Sequence, residues 1–118
     1  MVTLFFCAAG NVLFAASPCK KLDHTAFQSL RESRHKKGED LKLIFFSSWC
    51  SECKHHLEHL TADQVAVGMF DEEKSLQEIA VALIQPRGMS CYIDQGVGES
   101  LGVRSLPATV VVAEPKKN

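Results

Sequence analysis

The sequence predicts an α/β domain with a mostly parallel central sheet flanked by helices. Short apolar runs recur along the chain: Leu41 to Ser47 (LKLIFFS), Val65 to Phe70 (VAVGMF) and Thr109 to Ala113 (TVVVA). Between them lie segments whose apolar residues repeat at helical spacing. Strands that alternate with helices need crossover connections, and these give parallel neighbours with helices on both faces. The composition agrees with a folded unit. A chain of 118 residues suits one domain, and 46% hydrophobic with 23% charged residues argues against disorder.

The first segment, MVTLFFCAAGNVLFAAS, has no charged side chain and ends in Ala15, Ala16 and Ser17. It is too short and too interrupted for a transmembrane helix. It reads as a secretory signal over 1–17, with the mature domain over 18–118. Against that reading, no Lys or Arg precedes the apolar run and Pro18 follows it directly; a buried first strand or helix is the alternative. Neither Cys7 nor Cys19 has a convincing lipoprotein signal before it, so no lipid anchor is expected. Export would put the mature chain in the periplasm or outside the cell, where disulfides persist.

The elements then follow in order. Asp23 can N-cap a helix from about His24 to Lys36, with Ala26, Phe27 and Leu30 on one face, and Gly38 ends it. The basic cluster Arg34, His35, Lys36 and Lys37 reads as the solvated end of that helix. Leu41 to Ser47 is expected as a strand buried on both faces. A helix from about Cys50 to Leu60 buries Leu57 and Leu60. Val65 to Phe70 is a second strand, and Asp71 caps a helix over about Glu72 to Ile84, with Leu76, Ile79, Ala80 and Leu83 inward. Pro86 and Gly88 stop it. Met89 to Asp94 is a third strand, Gly96 to Leu101 a turn or short helix, and Thr109 to Ala113 the last strand. A net charge of -1 with scattered basic residues gives no reason to expect nucleic acid.

The chemistry concentrates in FFSSWCSECKHHLEHL, residues 45–60. Cys50 and Cys53 lie where a buried strand should meet a helix N-terminus. Open α/β sheets put their chemistry at such strand ends. Free N–H groups and the positive end of the helix dipole stabilise a thiolate on Cys50, which makes it the nucleophile. Cys53, one turn deeper, can close a disulfide with it and resolve a mixed disulfide. Cys19 and Cys91 either form a second disulfide, which an even cysteine count in an exported chain allows, or stay unpaired, with Cys91 a small buried hydrophobe.

FFSSWCSECK together with LGVRSLPATVVV resembles the thioredoxin superfamily over about residues 23–113. The stretch CYIDQGVGESLGVRSLPATVVV is similar to the thioredoxin-like reductases of the TlpA and ResA type. The resemblance implies a thioredoxin-like fold and a thiol–disulfide oxidoreductase, a protein-disulfide reductase with no cofactor. In it Cys50 is the attacking thiolate and Cys53 the resolving thiol. Trp49, Leu106 and Pro107 contact the substrate, with a cis Leu106–Pro107 bond facing the cysteines. Partners would be protein thiols and disulfides, plus a redox partner, soluble or membrane-bound.

Departures from the family pattern matter. The buried acid that many members place six residues before the first cysteine is Ile44 here. The glutamate that ResA-like proteins place three residues after the second cysteine is His56, which could move the proton instead; the alternative is a half-exposed residue without a role. The intervening pair is Ser51-Glu52, and the Glu52 charge should disfavour the Cys50 thiolate, so a reductant or poised exchanger is expected rather than a strong oxidase. The family's final antiparallel strand and C-terminal helix are also expected to be missing, since only AEPKKN follows the last strand.

Two other functions compete. A thioredoxin-like module could bind or chaperone client segments without turnover. Alternatively, Cys50 and Cys53 with histidines from His55, His56 and His59 could hold zinc or copper. His55 and His59 have good helical spacing for a metal, but they lie on a face offset from Cys53. No clear set of four ligands exists, so no metal is assigned and a solvated helix face is preferred for both.

Overall fold

The structure, a computed structural model, describes residues 18–113. The expected signal segment 1–17 lies outside the described residues, as do 114–118. The chain is α/β: a five-stranded, mostly parallel sheet with helices on both faces. In order come β1 (Lys20–Leu22), α1 (His24–Lys36), β2 (Leu41–Phe46), α2 (Ser51–Glu58), β3 (Gln64–Gly68), α3 (Glu73–Leu83), a 3₁₀ turn (Gln85–Arg87), β4 (Cys91–Asp94), the short α4 (Val97–Ser100) and β5 (Ala108–Val112). The strand order is β1-β4-β3-β2-β5. Three pairings are parallel; β5 alone runs antiparallel, against β2, with Ile44 opposite Thr109.

The two-residue period of the strands sorts the core into two layers. Ile44 and Phe46 of β2, Ala66 of β3, and Cys91 and Ile93 of β4 pack with Cys53 and Leu57 of α2 and Leu76, Ile79 and Ala80 of α3. Leu41, Leu43 and Phe45 of β2, with Val65 and Val67 of β3, form the opposite layer with Phe27 of α1 and Val97 of α4. β2 is therefore buried on both faces, which is why LKLIFF is an apolar run rather than an alternating one. Each fully buried Leu or Phe in it contributes roughly 1.5–3 kcal/mol of transfer free energy.

Local chemistry sets the ends of α1. The Asp23 carboxylate accepts the Ala26 N–H at 2.8 Å. At the other end, Gly38 takes φ +75°, its N–H donates to the His35 carbonyl, and the Glu39 N–H donates to that of Arg34. These two bonds make a Schellman cap, which needs a left-handed residue at the glycine position. The basic last turn, Arg34 to Lys36, lies at the negative end of the dipole.

Several boundaries differ from the sequence reading. β1 was not anticipated, because two of its three residues are exposed lysines and only Leu22 reaches the core. β3 spans Gln64–Gly68, stopping short of Phe70, and β4 begins at Cys91 rather than Met89. Asp71 is not the N-cap of α3. Glu72 holds that position without a side-chain bond, and Asp71 is directed elsewhere. Gly68, where β3 passes under α3, has no room for a side chain: a Cβ there would lie 2.8 Å from a methyl of the buried Leu76.

Candidate functional site

The buried strand β2 ends at Phe46, and Ser47, Ser48 and Trp49 lead to Cys50, the N-cap of α2. The Cys50 Sγ accepts the Cys53 backbone N–H at 3.1 Å, and the Cys50 carbonyl accepts the N–H groups of Cys53 and Lys54. A sulfur thus takes the part that a Ser or Asp oxygen ordinarily plays at a helix start. Cys50 and Cys53 are paired at disulfide distance, with Cα atoms 5.2 Å apart. Cys50 is 7% exposed and Cys53 fully buried. Both pack in the layer of Ile44, Phe46 and Leu57, with Cys50 the slightly more exposed residue.

Trp49 stands out from the surface, 63% exposed, next to Phe70, which is 50% exposed. The Trp49 indole Nε1–H donates to the Phe70 carbonyl at 2.9 Å. Phe70 has φ +59°, a left-handed conformation uncommon for an aromatic residue and a feature that clusters at functional sites. Beside it, the Asp71 carboxylate accepts the Ser48 N–H at 2.7 Å, the Ser48 hydroxyl, and the Glu72 N–H at 2.8 Å. Partial burial pushes the Asp71 carboxyl up, but the Ser48 hydroxyl and the Ser48 and Glu72 N–H groups outweigh it and hold the group below its ordinary value. The loop before the cysteines is therefore tied to the loop after β3 at two adjacent residues. The sequence reading missed this brace; Phe70-Asp71 lies over twenty residues from Ser48-Trp49, so no local pattern announces it.

The Leu106–Pro107 peptide is cis, and both residues are half-buried just before β5. Leu106 packs against both core layers, which places it at the end of the sheet where they meet. Ser51 and Glu52 are exposed in the first turn of α2. His56 is exposed one turn after Cys53 on α2, at the edge of the stripe that carries Cys53 and Leu57, with its ring edge-on to His55. Beyond Phe70 and Asp71 a cleft of about 740 Å³ opens at the carboxyl ends of β3 and β4, bordered by Asp94, Glu99 and Arg104. Asp94 is engaged in structure there: its carboxylate accepts the N–H groups of Gly96 and Gly98 and starts α4.

Cys19 and Cys91 form a second pair at disulfide distance, with Cα atoms 4.6 Å apart and a separation of 72 positions in sequence. They join the segment entering β1 to the start of β4. The buried Gln77 of α3 brackets the same segment, accepting the Cys19 N–H at 2.9 Å and donating to the Cys19 carbonyl at 3.1 Å. Among the described residues no helix is long and apolar enough to cross a membrane. One group of three metal-ligating side chains stands together among them, His55, Glu58 and His59, and neither cysteine belongs to it. No protein-family model, curated protein or solved structure matches the chain.

Proposed function

We propose that this chain is a thioredoxin-like thiol–disulfide oxidoreductase that reduces disulfides in other proteins outside the cytoplasm. The observation that carries the reading is the Cys50–Cys53 pair at the start of α2, with the Cys50 sulfur at the N-cap and Cys53 buried one turn on. A thiolate on Cys50 is favoured there by the N–H groups and the dipole of the helix. It attacks one sulfur of a client disulfide; a Cys50–client mixed disulfide forms and the second client sulfur leaves as a thiolate. Cys53 then loses its proton and attacks the Cys50 sulfur. The client's first sulfur leaves, so the client gains two electrons and the Cys50–Cys53 disulfide closes. A dithiol donor must reduce that disulfide for the next cycle.

The surrounding geometry supports the same reading. Trp49 directly precedes the pair and is hydrogen-bonded to Phe70, and the two exposed rings offer apolar contact to an incoming segment. The cis peptide at Pro107 stands at a strand end, in keeping with a backbone edge on which such a segment could pair. The exposed side chain of Glu52 puts negative charge in the first turn of α2, which works against the Cys50 thiolate and so against a strongly oxidising disulfide. His56 follows Cys53 by one helical turn and is exposed, so it can take the resolving proton through water, or the proton passes to solvent directly.

Equilibration with glutathione redox buffers tests this. The expected outcome is a two-electron couple with a potential nearer the thioredoxin value of about -270 mV than the DsbA value of about -120 mV. A pair that never exchanges with glutathione, or one poised near the DsbA value, contradicts the proposed reductant.

A further inference from the structure

The last turn of α2 carries a second constellation that the redox reading does not use. His55, Glu58 and His59 occupy positions i, i+3 and i+4, which fall on one helix face. All three are exposed, and their ligand atoms lie within 4.8 Å of one another. A tetrahedral zinc ion with bonds of about 2.0–2.1 Å separates its ligands by about 3.3 Å, so side-chain rotation closes the gap with no movement of the helix.

Two further observations point to a cation. The His59 ring is already oriented as a ligand: its Nδ1 lies 2.8 Å from the His55 carbonyl and 4.5 Å separates the two ring centroids. As an Nδ1–H donor to that carbonyl, the ring keeps Nε2 free as a lone-pair donor, and metal-binding histidines ordinarily use their second nitrogen in this way. The site also lies at the carboxyl end of α2, where the helix dipole is negative. Fixing the ring and the field in advance removes part of the cost of assembling a site from flexible surface side chains.

We propose that His55, Glu58 and His59 form a three-ligand site for a borderline divalent transition cation on the outer face of α2. Two imidazoles and a carboxylate suit Zn²⁺ or Cu²⁺ and are a poor match for Mg²⁺, which keeps to oxygen ligands. Three protein ligands leave a coordination position open to water or to a donor from another molecule. The thiols take no part, so the site is distinct from a cysteine–histidine centre and is independent of the redox state of Cys50 and Cys53.

Isothermal titration of the oxidised full chain with ZnCl₂, and separately with MgCl₂, tests the proposal. The expected result is saturable binding of zinc at a single site with no comparable magnesium binding. His55→Ala and His59→Ala should each weaken zinc binding by about tenfold or more, and Glu58→Gln by less. The Cys50→Ser/Cys53→Ser double variant should bind zinc as the wild type does. All these positions but the cysteines are exposed, and circular dichroism checks that every variant remains folded. No zinc binding at millimolar concentration, or undiminished binding by a folded His55→Ala/His59→Ala double variant, overturns the proposal. Loss of binding in the double serine variant alone overturns it too, because the site then depends on the cysteine pair.

Discussion

The indole N–H of Trp49 donates to the carbonyl oxygen of Phe70, 2.9 Å away. It ties the residue before the cysteine pair to a left-handed residue at the rim of the adjoining cleft. Both aromatic rings remain largely in solvent, so the bond holds them in position rather than burying them. Replacing Trp49 by Phe keeps an aromatic surface and removes the donor. The expected loss in urea unfolding is at the low end of about 0.5–1.5 kcal/mol, because water can reach the Phe70 carbonyl. The rate of disulfide exchange with a protein substrate should fall more than stability does. An equal rate would mean that the brace does not orient the site.

Asp71 makes this brace pH-dependent. Its carboxyl is held below the ordinary value of 3.8 in the folded chain, chiefly by Ser48 against the opposing effect of partial burial. A depressed carboxyl stabilises the fold fully above its unfolded value, and that contribution disappears as pH falls through the folded value. The Asp71→Asn variant should therefore be less stable than the wild type at pH 7. The difference should shrink as pH drops below about 3.8 and Asp71 itself takes up a proton. Urea midpoints measured in parallel across that range check it; a difference that stays constant with pH would contradict the role given to the ionised carboxylate.

The Cys19–Cys91 pair is expected to act as a staple rather than as a second exchanger. It closes a loop of 72 residues, is buried, and is bracketed by Gln77. In the chain-entropy picture such a link restricts the unfolded chain by about 4 kcal/mol. The Cys19→Ala/Cys91→Ala variant should lose much of that stability. In the wild type, mild reductant should open Cys50–Cys53 first, which mass spectrometry after differential alkylation reads directly.

Glu52 is expected to tune the site from the first turn of α2. Glu52→Gln removes a negative charge near the Cys50 sulfur while keeping the side chain's size. The Cys50 thiol pKa, followed by its rate of alkylation against pH, should fall, and the disulfide should become more oxidising. Fold stability should change by no more than about 0.5 kcal/mol, as for an ordinary exposed position. An unchanged alkylation profile would show that solvent screens the charge completely.

The α/β architecture was legible because β2 and β3 are apolar on both faces and the helices between them are not. LKLIFF reads as a strand covered on both faces, and Leu76, Ile79 and Ala80 at helical spacing read as the inner face of a helix, as the core layers bear out. The junction holding Cys50 and Cys53 followed from those two facts. What could not be read was what depends on distant residues meeting. Asp71 looked like a helix cap by its neighbours, yet its carboxylate serves Ser48. β1 exists because Lys20 to Leu22 can pair with Tyr92 to Asp94, although only Leu22 has an apolar reason to be there. Gln77 sits on a buried helix face, where a polar residue looks out of place until the Cys19 backbone is seen to satisfy it.

In the proposed reaction Cys50 attacks and Cys53 resolves, and trapping separates the two roles. Cys50→Ser and Cys53→Ser, each incubated with a disulfide-containing protein and quenched with alkylating agent, are compared on non-reducing gels. Cys53→Ser should accumulate mixed disulfides through Cys50, because the resolving thiol is gone, while Cys50→Ser should accumulate few, because its remaining thiol is fully buried. Equal trapping by both variants, or trapping by neither, would contradict it.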